Sequence, residues 1–468
     1  MKYHSNRLLR LSTLFVTLLL PALYALAEEK ASITFKDLKA AYRLGETIPL
    51  KLETRLPQPT PAEQADLWVA IRLPTEPQLL FITDNPNNRL SFTHQHPYKR
   101  NLTMAETTES VLEVSATEAL AGNYVLYALF SKVGTTFEQL LENLDAHSRS
   151  HLATTSTTLA AATGLDSRPP NTTCIAPPRP SDDTPLPQKL SETGCVEPDN
   201  PRQAASGLIP YTVNVPLWTD GATKDRWMAI PDNTGITLNE EGDWIFPVGS
   251  VFLKHFYLEG QPIETRLFVR HDDGEWAGYS YEWDDNGTDA TLLERGKRQK
   301  IGEQTWIYPH RSQCLKCHTK AVGGIINVET AQMNRLHTYR PTGRTALQID
   351  TLAHIGLLEK NTLTEEKQAF PELTDKTAPI GQRARAFLHA NCSYCHRPRS
   401  TGPHDYRITA PLSALCDGYL LTPGEPENSR ISQRLHRGEM PPIGTTVINQ
   451  EGIAIIDEWI NSLESCSE

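Results

Sequence analysis

The chain has 468 residues, of which 45 are Lys or Arg and 56 are Asp or Glu, so its formal net charge is −11. A chain this acidic is a poor candidate for binding nucleic acid through phosphate contacts or for lying on an anionic membrane surface. Its apolar fraction of 39% is ample for globular cores, which excludes wholesale disorder, and its length suggests about three domains.

Residues 1–27 have the pattern of a cleaved signal peptide. Three basic residues and no acid precede an apolar run at 11–23, which is too short to span a bilayer with ease. Ala25-Leu26-Ala27 then supplies the small-x-small pattern of a cleavage site, although an uncleaved anchor is the alternative. No later stretch reaches the roughly 18 apolar residues of a spanning helix. We therefore expect an exported, soluble, periplasmic protein with no transmembrane segment after cleavage.

Residues 28–165 are predicted to form a β-sandwich-like accessory module. The segments 47–52, 67–71 and 124–130 are alternating or apolar runs of strand length, separated by Pro and Gly. A capping-box match from Thr135 to Glu138 then predicts one helix. The apolar residues expected on a single face of that helix are Phe137, Leu140, Leu141 and Leu144.

Residues 166–206 are predicted to be a proline-rich linker or an extended wrapping segment, with nine prolines between 169 and 201.

Residues 207–375 are predicted to form a β-rich domain followed by helices. Six of the eight tryptophans lie between 207 and 310, and they indicate either an aromatic core or a sugar-binding platform. The helical pattern starts near Val328, is interrupted by Pro341 and resumes from Thr345 to Leu358.

Residues 376–468 are predicted to be an all-α domain. Ala384, Leu388 and Cys392 share one helical face near its start, and Ile453, Ile456, Ile460 and Leu463 form a second apolar stripe near its end. The overall expectation is a multidomain α+β chain, with β modules first and a helical domain last.

Two segments share the pattern C-x-x-C-H, namely Cys314 to His318 and Cys392 to His396. This is the attachment pattern of c-type haem, because the spacing of Cys314 and Cys317, or of Cys392 and Cys395, lets both thiols reach one edge of a porphyrin. The adjacent His318 or His396 then donates a ring nitrogen to the iron. A thioredoxin-like redox pair would need a βαβ context that is absent, and a zinc site would need exported thiols to escape oxidation. The sequence thus predicts two covalently attached haem c groups.

Met440 is the predicted distal ligand of the second haem, because it is one of only five methionines and is followed by two prolines. No sixth ligand of the first haem is evident from the sequence. The candidates are Met333, His255, His337 and His354, or an open position, and Met228 also lies in the β domain.

Four cysteines lie outside the two motifs and allow three pairings. Cys174 and Cys195 are close together in the proline-rich segment and are expected to pair in an oxidising compartment. We favour Cys174–Cys195 and Cys416–Cys466, the second of which would tie a loop to the last helix.

Residues 380–468 resemble a class I cytochrome c domain, with a helix running into C-x-x-C-H, a Met-Pro-Pro loop and a closing helix that carries Trp459. Residues 207–468 also resemble a family of bacterial exported di-haem c-type cytochromes. The matching text is Ile209-Pro210-Tyr211, Asn214, Pro216 to Ala222, Lys224, Arg226, Phe246 to Val251, Gly274 to Tyr279 and Glu329 to Asn334. The resemblance implies haem binding and electron transfer, and it does not extend to residues 31–160.

The leading hypothesis is a periplasmic di-haem cytochrome that transfers electrons between redox partners, which its acidity suggests are basic or otherwise complementary. One alternative is an enzyme, a peroxidase or small-molecule dehydrogenase, in which the first haem is catalytic. Such an enzyme needs a first haem with an open sixth position. Only one of the two motifs lies in a cytochrome c pattern, which counts against a di-haem peroxidase. The other alternative is a Trp-lined binding module with an appended cytochrome domain. The sequence favours a carrier over a catalyst.

Overall fold

The structure is a computed structural model that describes residues 30–56, 64–74, 79–84, 90–91, 95–181, 185–239, 242–358, 368–416 and 419–466. The predicted signal peptide lies outside these ranges. The chain is a mixed α+β protein in which β-sheets occupy the N-terminal and central parts and helices concentrate toward the C-terminus. In the described residues, no helix is both long enough and apolar enough to cross a membrane.

The chain divides into two compact units. One comprises the described residues up to Leu38, Pro49–Leu112 and Val125–Thr155, and the other comprises Lys39–Ile48, Glu113–Tyr124 and Ser156 onward. The strands from the N-terminus to residue 159 are β1 (Ser32–Lys36), β2 (Ala41–Tyr42), β3 (Thr47–Arg55), β4 (Gln64–Arg72), β5 (Leu79–Ile82), β6 (Leu90–Ser91), β7 (Lys99–Thr103), β8 (Thr108–Ser115), β9 (Gly122–Lys132) and β10 (Ala153–Leu159).

Strand β4 organises the first unit, because it pairs antiparallel with β5, β7 and β9. Its side chains alternate between two apolar clusters, as expected for a strand that is covered on both faces. Leu67 shares one cluster with Leu52 and Val111 of the small sheet β1–β3–β8. Trp68 shares the other with Leu140 of helix α1 (Phe137–Glu142), which is followed by α2 (Leu144–His147).

The capping box of α1 lies one residue later than predicted. Thr136 accepts a hydrogen bond from the Gln139 backbone, and the Gln139 side chain accepts one from the Thr136 backbone. The hydroxyl of Thr135 instead donates to the Lys132 carbonyl at 2.7 Å. Leu140 is buried but Leu141 is 71% exposed, and α1 ends at Glu142, before Leu144, so the predicted single apolar face is not formed.

The second unit contains fourteen further strands among its described residues. They are β11 (Val196–Glu197), β12 (Asn200–Ala204), β13 (Ile209–Pro210), β14 (Thr223–Ala229), β15 (Thr237–Leu238), β16 (Trp244–Ile245), β17 (Val251–Leu258), β18 (Gln261–Arg270), β19 (Trp276–Trp283), β20 (Ala290–Leu292), β21 (Lys297–Ile301), β22 (Gln304–Tyr308), β23 (Leu336–Tyr339) and β24 (Arg344–Leu347). Six of these strands form one sheet in the order β13–β14–β17–β18–β19–β20, and every neighbouring pair is antiparallel.

One face of this sheet is covered by the proline-rich segment. Leu253, Leu267 and Tyr281 point to that face and form a core with Cys174 and Leu190. Cys174 bonds to Cys195 with their Cα atoms 4.3 Å apart, which confirms the favoured pairing. The segment therefore supplies apolar side chains that keep water off the sheet.

The helices of the second unit begin beyond this sheet. They are α3 (Arg311–Cys317), α4 (Thr330–Met333), α5 (Gln348–His354), α6 (Ile380–Cys392), α7 (Leu412–Leu415), α8 (Arg430–His436) and α9 (Gln450–Ser462). Helices α6 and α9 pack together through Leu388, Ile456 and Ile460, as their apolar stripes predict. Cys416 and Cys466 form the second disulfide, which confirms that pairing as well.

The region after Val328 is less helical than predicted. Helix α4 is a single turn, and residues 336–347 form the antiparallel hairpin β23–β24. Pro341 starts its turn and Gly343 adopts a positive φ of 69°, a conformation that glycine tolerates without strain. The apolar spacing was compatible with a helix, but this turn chemistry decided the local structure.

Candidate functional site

The first C-x-x-C-H motif lies on α3, immediately after the strand β22. His310 caps the helix by accepting a hydrogen bond from the Ser312 backbone, and Gln313 completes the capping box. Cys314 and Cys317 are three residues apart on this helix and therefore lie on one side of it. His318 is the C-terminal cap, so it leaves the helical path directly beside both thiols.

Cys314 rests on the large sheet at a glycine. A Cβ atom added to Gly278 of β19 would lie 2.7 Å from the Cys314 Sγ and 3.1 Å from the ring of Phe268. The absence of a side chain at position 278 thus allows the helix with the two cysteines to approach the sheet closely.

The ring of His318 is held in one orientation. Its Nδ1 lies 2.7 Å from the Gly324 carbonyl oxygen, and its ring centroid is 4.0 Å from that of Phe268. A carbonyl can only accept, so Nδ1–H donates, and Nε2 keeps its lone pair. Burial lowers the pKa of His318 to about 3, and the Lys254 ammonium acts in the same direction. The ring is therefore neutral and suited to bind a metal through Nε2.

The second motif follows the same design at the end of α6. Cys392 is the last residue of this helix, and Cys395 and His396 lie in the turn that follows. The Nδ1–H of His396 donates to the Pro403 carbonyl, which leaves Nε2 free in the same way. Gly402 lies so close to this ring that an added Cβ would be 2.7 Å from Nδ1.

Each motif opens onto its own cavity. The first has a volume of about 150 Å³, and Cys314, Cys317 and His318 line it. The second has a volume of about 340 Å³, and Met440 lines it together with His396 and both thiols of its motif. The structure therefore brings Met440 to the cavity to which the sequence assigned it.

The candidate sixth ligands of the first motif lie elsewhere. His318 is the only His or Met side chain among the described residues that line the first cavity. His255 points to the opposite face of the sheet, where its Nδ1 is 2.6 Å from the Thr265 hydroxyl. Met333 is in the apolar core beside Met228. The last two candidates are His337, which packs on Tyr339, and His354, whose Nε2 is 3.1 Å from the Asp166 carbonyl.

The two cavities share a wall. Leu217, Trp218, Tyr394, Pro441 and Thr445 line both of them. Across this wall the two motifs come together, because Cys317 and Cys395 pack against the same apolar cluster, which contains Tyr394. The Cys395 Sγ also lies 3.6 Å from the Lys316 carbonyl oxygen.

The segment from Leu217 to Asp220 joins the sheet to the loop that carries Met440. Asp220 is buried, with a positive φ of 48°, and its carboxylate accepts backbone N–H groups from Thr446 and Val447 at 2.9–3.0 Å. The indole N–H of Trp218 donates to the Val447 carbonyl at 2.9 Å. These contacts hold the Met440 loop against the shared wall.

A row of cations lines the first cavity. Arg226, Lys254 and Arg266 occupy directly opposed positions on the adjacent strands β14, β17 and β18. Burial lowers the pKa of Lys254 to about 7, with the charges of Arg226 and Arg266 acting in the same direction. The sequence patterns contained Arg226 within a matching motif but did not predict the row. The sequence signal of the row is the alternation of basic and aromatic residues along the strands: Lys254 lies between Phe252 and Phe256, and Arg266 is two residues before Phe268.

The tryptophans of the central region are mostly structural. Trp244, Trp283 and Trp306 are 2%, 5% and 1% exposed, respectively. The other three, Trp218, Trp227 and Trp276, are partly buried. The described residues therefore offer no row of exposed indoles of the kind that stacks on sugars.

Comparison with known proteins does not extend this description. No family model matches the chain, and no curated protein matches it significantly.

Proposed function

We propose that this protein carries two covalently attached haem c groups and transfers electrons between redox partners. The observation that carries the proposal is that both C-x-x-C-H motifs open onto cavities and lie against each other, with the Cys395 Sγ 3.6 Å from the Lys316 carbonyl oxygen. Nothing in the local sequence requires two motifs so far apart in the chain to meet. Electron transfer between two centres needs such proximity, whereas two unrelated thiol sites do not.

The residues around each motif fit a c-type haem. The four motif cysteines are free, whereas the other four form disulfides. Each motif histidine has its Nδ1–H bound to a carbonyl, which presents Nε2 toward a metal. In the described residues, no group of three or more His, Cys, Asp or Glu side chains could hold a metal by itself. A porphyrin supplies its own equatorial ligands, so one or two protein ligands are sufficient.

When bound, the haem supplies a one-electron redox centre. Cys314 and Cys317 would hold the first group through thioether bonds and His318 would bind its iron. Cys392, Cys395 and His396 would do the same for the second group, with Met440 as the distal ligand. The apolar walls, including Phe252, Phe268 and Tyr394, exclude water and thereby favour the less charged state of a buried centre.

The family resemblance is part of this proposal. Helices α6 and α9, which pack around the second motif, would form a class I cytochrome c-like domain. The central sheet would form the β domain of exported di-haem cytochromes, and the first unit a β-sandwich-like accessory module. The two disulfides accord with a periplasmic location, since structural disulfides persist in oxidising compartments.

Mass spectrometry of the full chain, matured in a host that attaches c-type haem, tests the proposal. We expect two haem masses on the wild type. Cys314→Ala with Cys317→Ala should leave one haem, and Cys392→Ala with Cys395→Ala should leave the other. The matched control is Cys174→Ala with Cys195→Ala, which should keep two. A mature protein without covalent haem would refute the proposal.

Met440 has its own spectroscopic test. Met440→Ala should remove the weak far-red band of a ferric haem with a methionine ligand and should lower the reduction potential of the second haem. The matched control is Met104→Ala in the first unit, which should leave both unchanged. A variant at position 440 with an unaltered band would disprove the ligand assignment.

A second candidate function is peroxidase or small-molecule dehydrogenase activity at the first motif. One observation favours it: apart from His318, the described lining of the first cavity contains no His or Met to fill a sixth position. A high-spin ferric component that changes on adding peroxide would support this candidate. Two low-spin haems that do not respond to peroxide would eliminate the peroxidase.

A further inference from the structure

The cations of the first cavity form a straight row across the sheet. Lys254 of β17 is directly opposite Arg226 of β14 on one side and Arg266 of β18 on the other. Adjacent strands are roughly 4.8 Å apart, so the row spans about 10 Å. Like charges that face each other across strands destabilise a sheet. Negative charge in the cavity would offset this repulsion.

The protein itself provides only part of that compensation. Arg266 forms two hydrogen bonds of 2.8 Å with Glu264, whose carboxylate also accepts the indole N–H of Trp306. Within the described part of the chain, Arg226 and Lys254 form no ion pair with a carboxylate. Lys224, which lines the same cavity, binds only the backbone carbonyls of Leu217 and Ala222. In the part of the chain that the structure describes, three basic side chains thus face the cavity without an ion pair to a carboxylate.

The neighbouring row of the same sheet face is apolar. Phe252 and Phe268 are opposed on β17 and β18, and Phe268 is opposed to Gly278, on which Cys314 rests. The cavity wall therefore has an apolar strip beside the thiol-bearing helix and a cationic strip two residues further along the strands. A ligand that matches this wall has an apolar body or edge and negative charges at one end.

We infer that the row of Arg226, Lys254 and Arg266, together with Lys224, binds a pair of carboxylates in the first cavity. This inference rests on the proposed function, because the motif defines the cavity. Two sources have this chemistry: the two propionate groups of a haem attached at Cys314 and Cys317, or a free dicarboxylate. The width of the row and its three basic side chains without an ion pair favour two carboxylates over one, since one carboxylate neutralises a single charge.

The test compares Lys254→Met with the control Lys300→Met, whose lysine is exposed on β21. Both variants are made in the full haem-bearing chain, and the reduction potentials of both haems are measured with and without sodium succinate at constant ionic strength. If propionates occupy the row, Lys254→Met should lower the potential of the first haem, because removing a cation favours ferric iron, and succinate should have no effect. If a free dicarboxylate binds, succinate should cause a saturable shift that weakens about tenfold or more in Lys254→Met.

The inference is overturned if Lys254→Met and Lys300→Met both match the wild type and succinate has no saturable effect. Should Lys254→Met fail to fold, Lys254→Arg, which keeps the charge, should behave as the wild type, and Arg226→Gln should show the effect expected of Lys254→Met.

Failure of the proposed function is distinguishable from failure of this inference, because the protein would then carry no covalent haem. The row is then tested by succinate binding followed through tryptophan fluorescence, and absence of binding there overturns the inference.

Discussion

Gly278 controls how closely the first motif approaches the sheet. The Cys314 Sγ occupies the space where a side chain at position 278 would begin, and Phe268 fills the space on the other side. Because the Phe268 ring also packs on His318, a small displacement at this glycine reaches the thiol and the imidazole together. Because glycine has a hydrogen atom where alanine has a methyl group, position 278 leaves room for the Cys314 thiol and so determines how closely the first motif packs on the sheet.

We predict that Gly278→Ala reduces covalent haem at Cys314 and Cys317 while leaving the second motif occupied. The added methyl would overlap the thiol, and overpacking of this kind costs about 1–3 kcal/mol. Haem occupancy at each motif is measured by mass spectrometry of peptides. The control is Gly235→Ala, where the nearest atom would be 3.5 Å away. Full occupancy at both motifs in Gly278→Ala would contradict this account.

At the scale of elements, a buried carboxylate joins the sheet to the Met440 loop. Asp220 accepts three backbone hydrogen bonds from Thr446 and Val447. Hydrogen bonds to an ionised acceptor are stronger than those between neutral groups, so this carboxylate is well suited to fix an irregular loop. The loop has no regular secondary structure of its own to hold it in place.

We predict that Asp220→Asn loosens this loop, because the amide is neutral and one end of it cannot accept. The expected loss of stability is about 1–3 kcal/mol, together with a weaker far-red band from the proposed Met440 ligand. Asp284→Asn is the matched control, since Asp284 accepts backbone N–H groups in an exposed turn at 2.8 and 3.2 Å. An unchanged band and an unchanged thermal midpoint in Asp220→Asn would refute the role of the loop contact.

The two disulfides constrain elements of different separation. Cys416–Cys466 joins residues 50 apart, and Cys174–Cys195 joins residues 21 apart. In the chain-entropy view, the longer loop restricts the unfolded chain more, by about 4 kcal/mol against about 3 kcal/mol. Both bonds act on segments with little regular structure.

We predict that Cys416→Ser with Cys466→Ser destabilises the helical region by about 2–5 kcal/mol. The urea midpoint, followed by haem absorbance, should fall more than in Cys174→Ser with Cys195→Ser, which acts on the sheet face instead. The reverse order would show that lost packing, rather than loop closure, dominates.

At the scale of the whole second unit, the two cavities lie between parts of the chain that already contact each other. Arg397 forms an ion pair with Asp243 at 2.9 Å, and His389 is 3.1 Å from Glu329, so the helices and the central region are linked beyond the motifs. The space inside the two cavities is lined mainly by apolar side chains. Cofactors that fill it would add the apolar contacts that the polypeptide lacks.

We predict that chain produced without haem attachment is cleaved by trypsin at Arg437 about tenfold faster or more than the haem-bearing protein. Unfilled apolar space lowers the cost of local opening, and proteolysis reports the population of the open form. Cleavage at Lys132 in the first unit is the internal control and should be equal in both preparations. Equal rates at Arg437 would mean that the cavities do not depend on a cofactor for their stability.

Much of the fold and part of the site followed from local sequence patterns. The strands near 248–269, the apolar stripes of α6 and α9 and both disulfides agree with the structure, because alternation, helical spacing and cysteine chemistry act over short distances. The predictions failed where turn chemistry competed with apolar spacing, as in the hairpin β23–β24 and at the cap of α1.

The sequence by itself determined the chemistry of the motifs, since C-x-x-C-H places two thiols and an imidazole together within five residues. Only the tertiary structure decided that Cys317 and Cys395 pack against one apolar cluster, that Met440 faces the second cavity and that three strands align a row of cations. These relations depend on the register of strands and the packing of helices that are distant in the chain. Such contacts are set by the burial of whole faces, which no local spacing encodes.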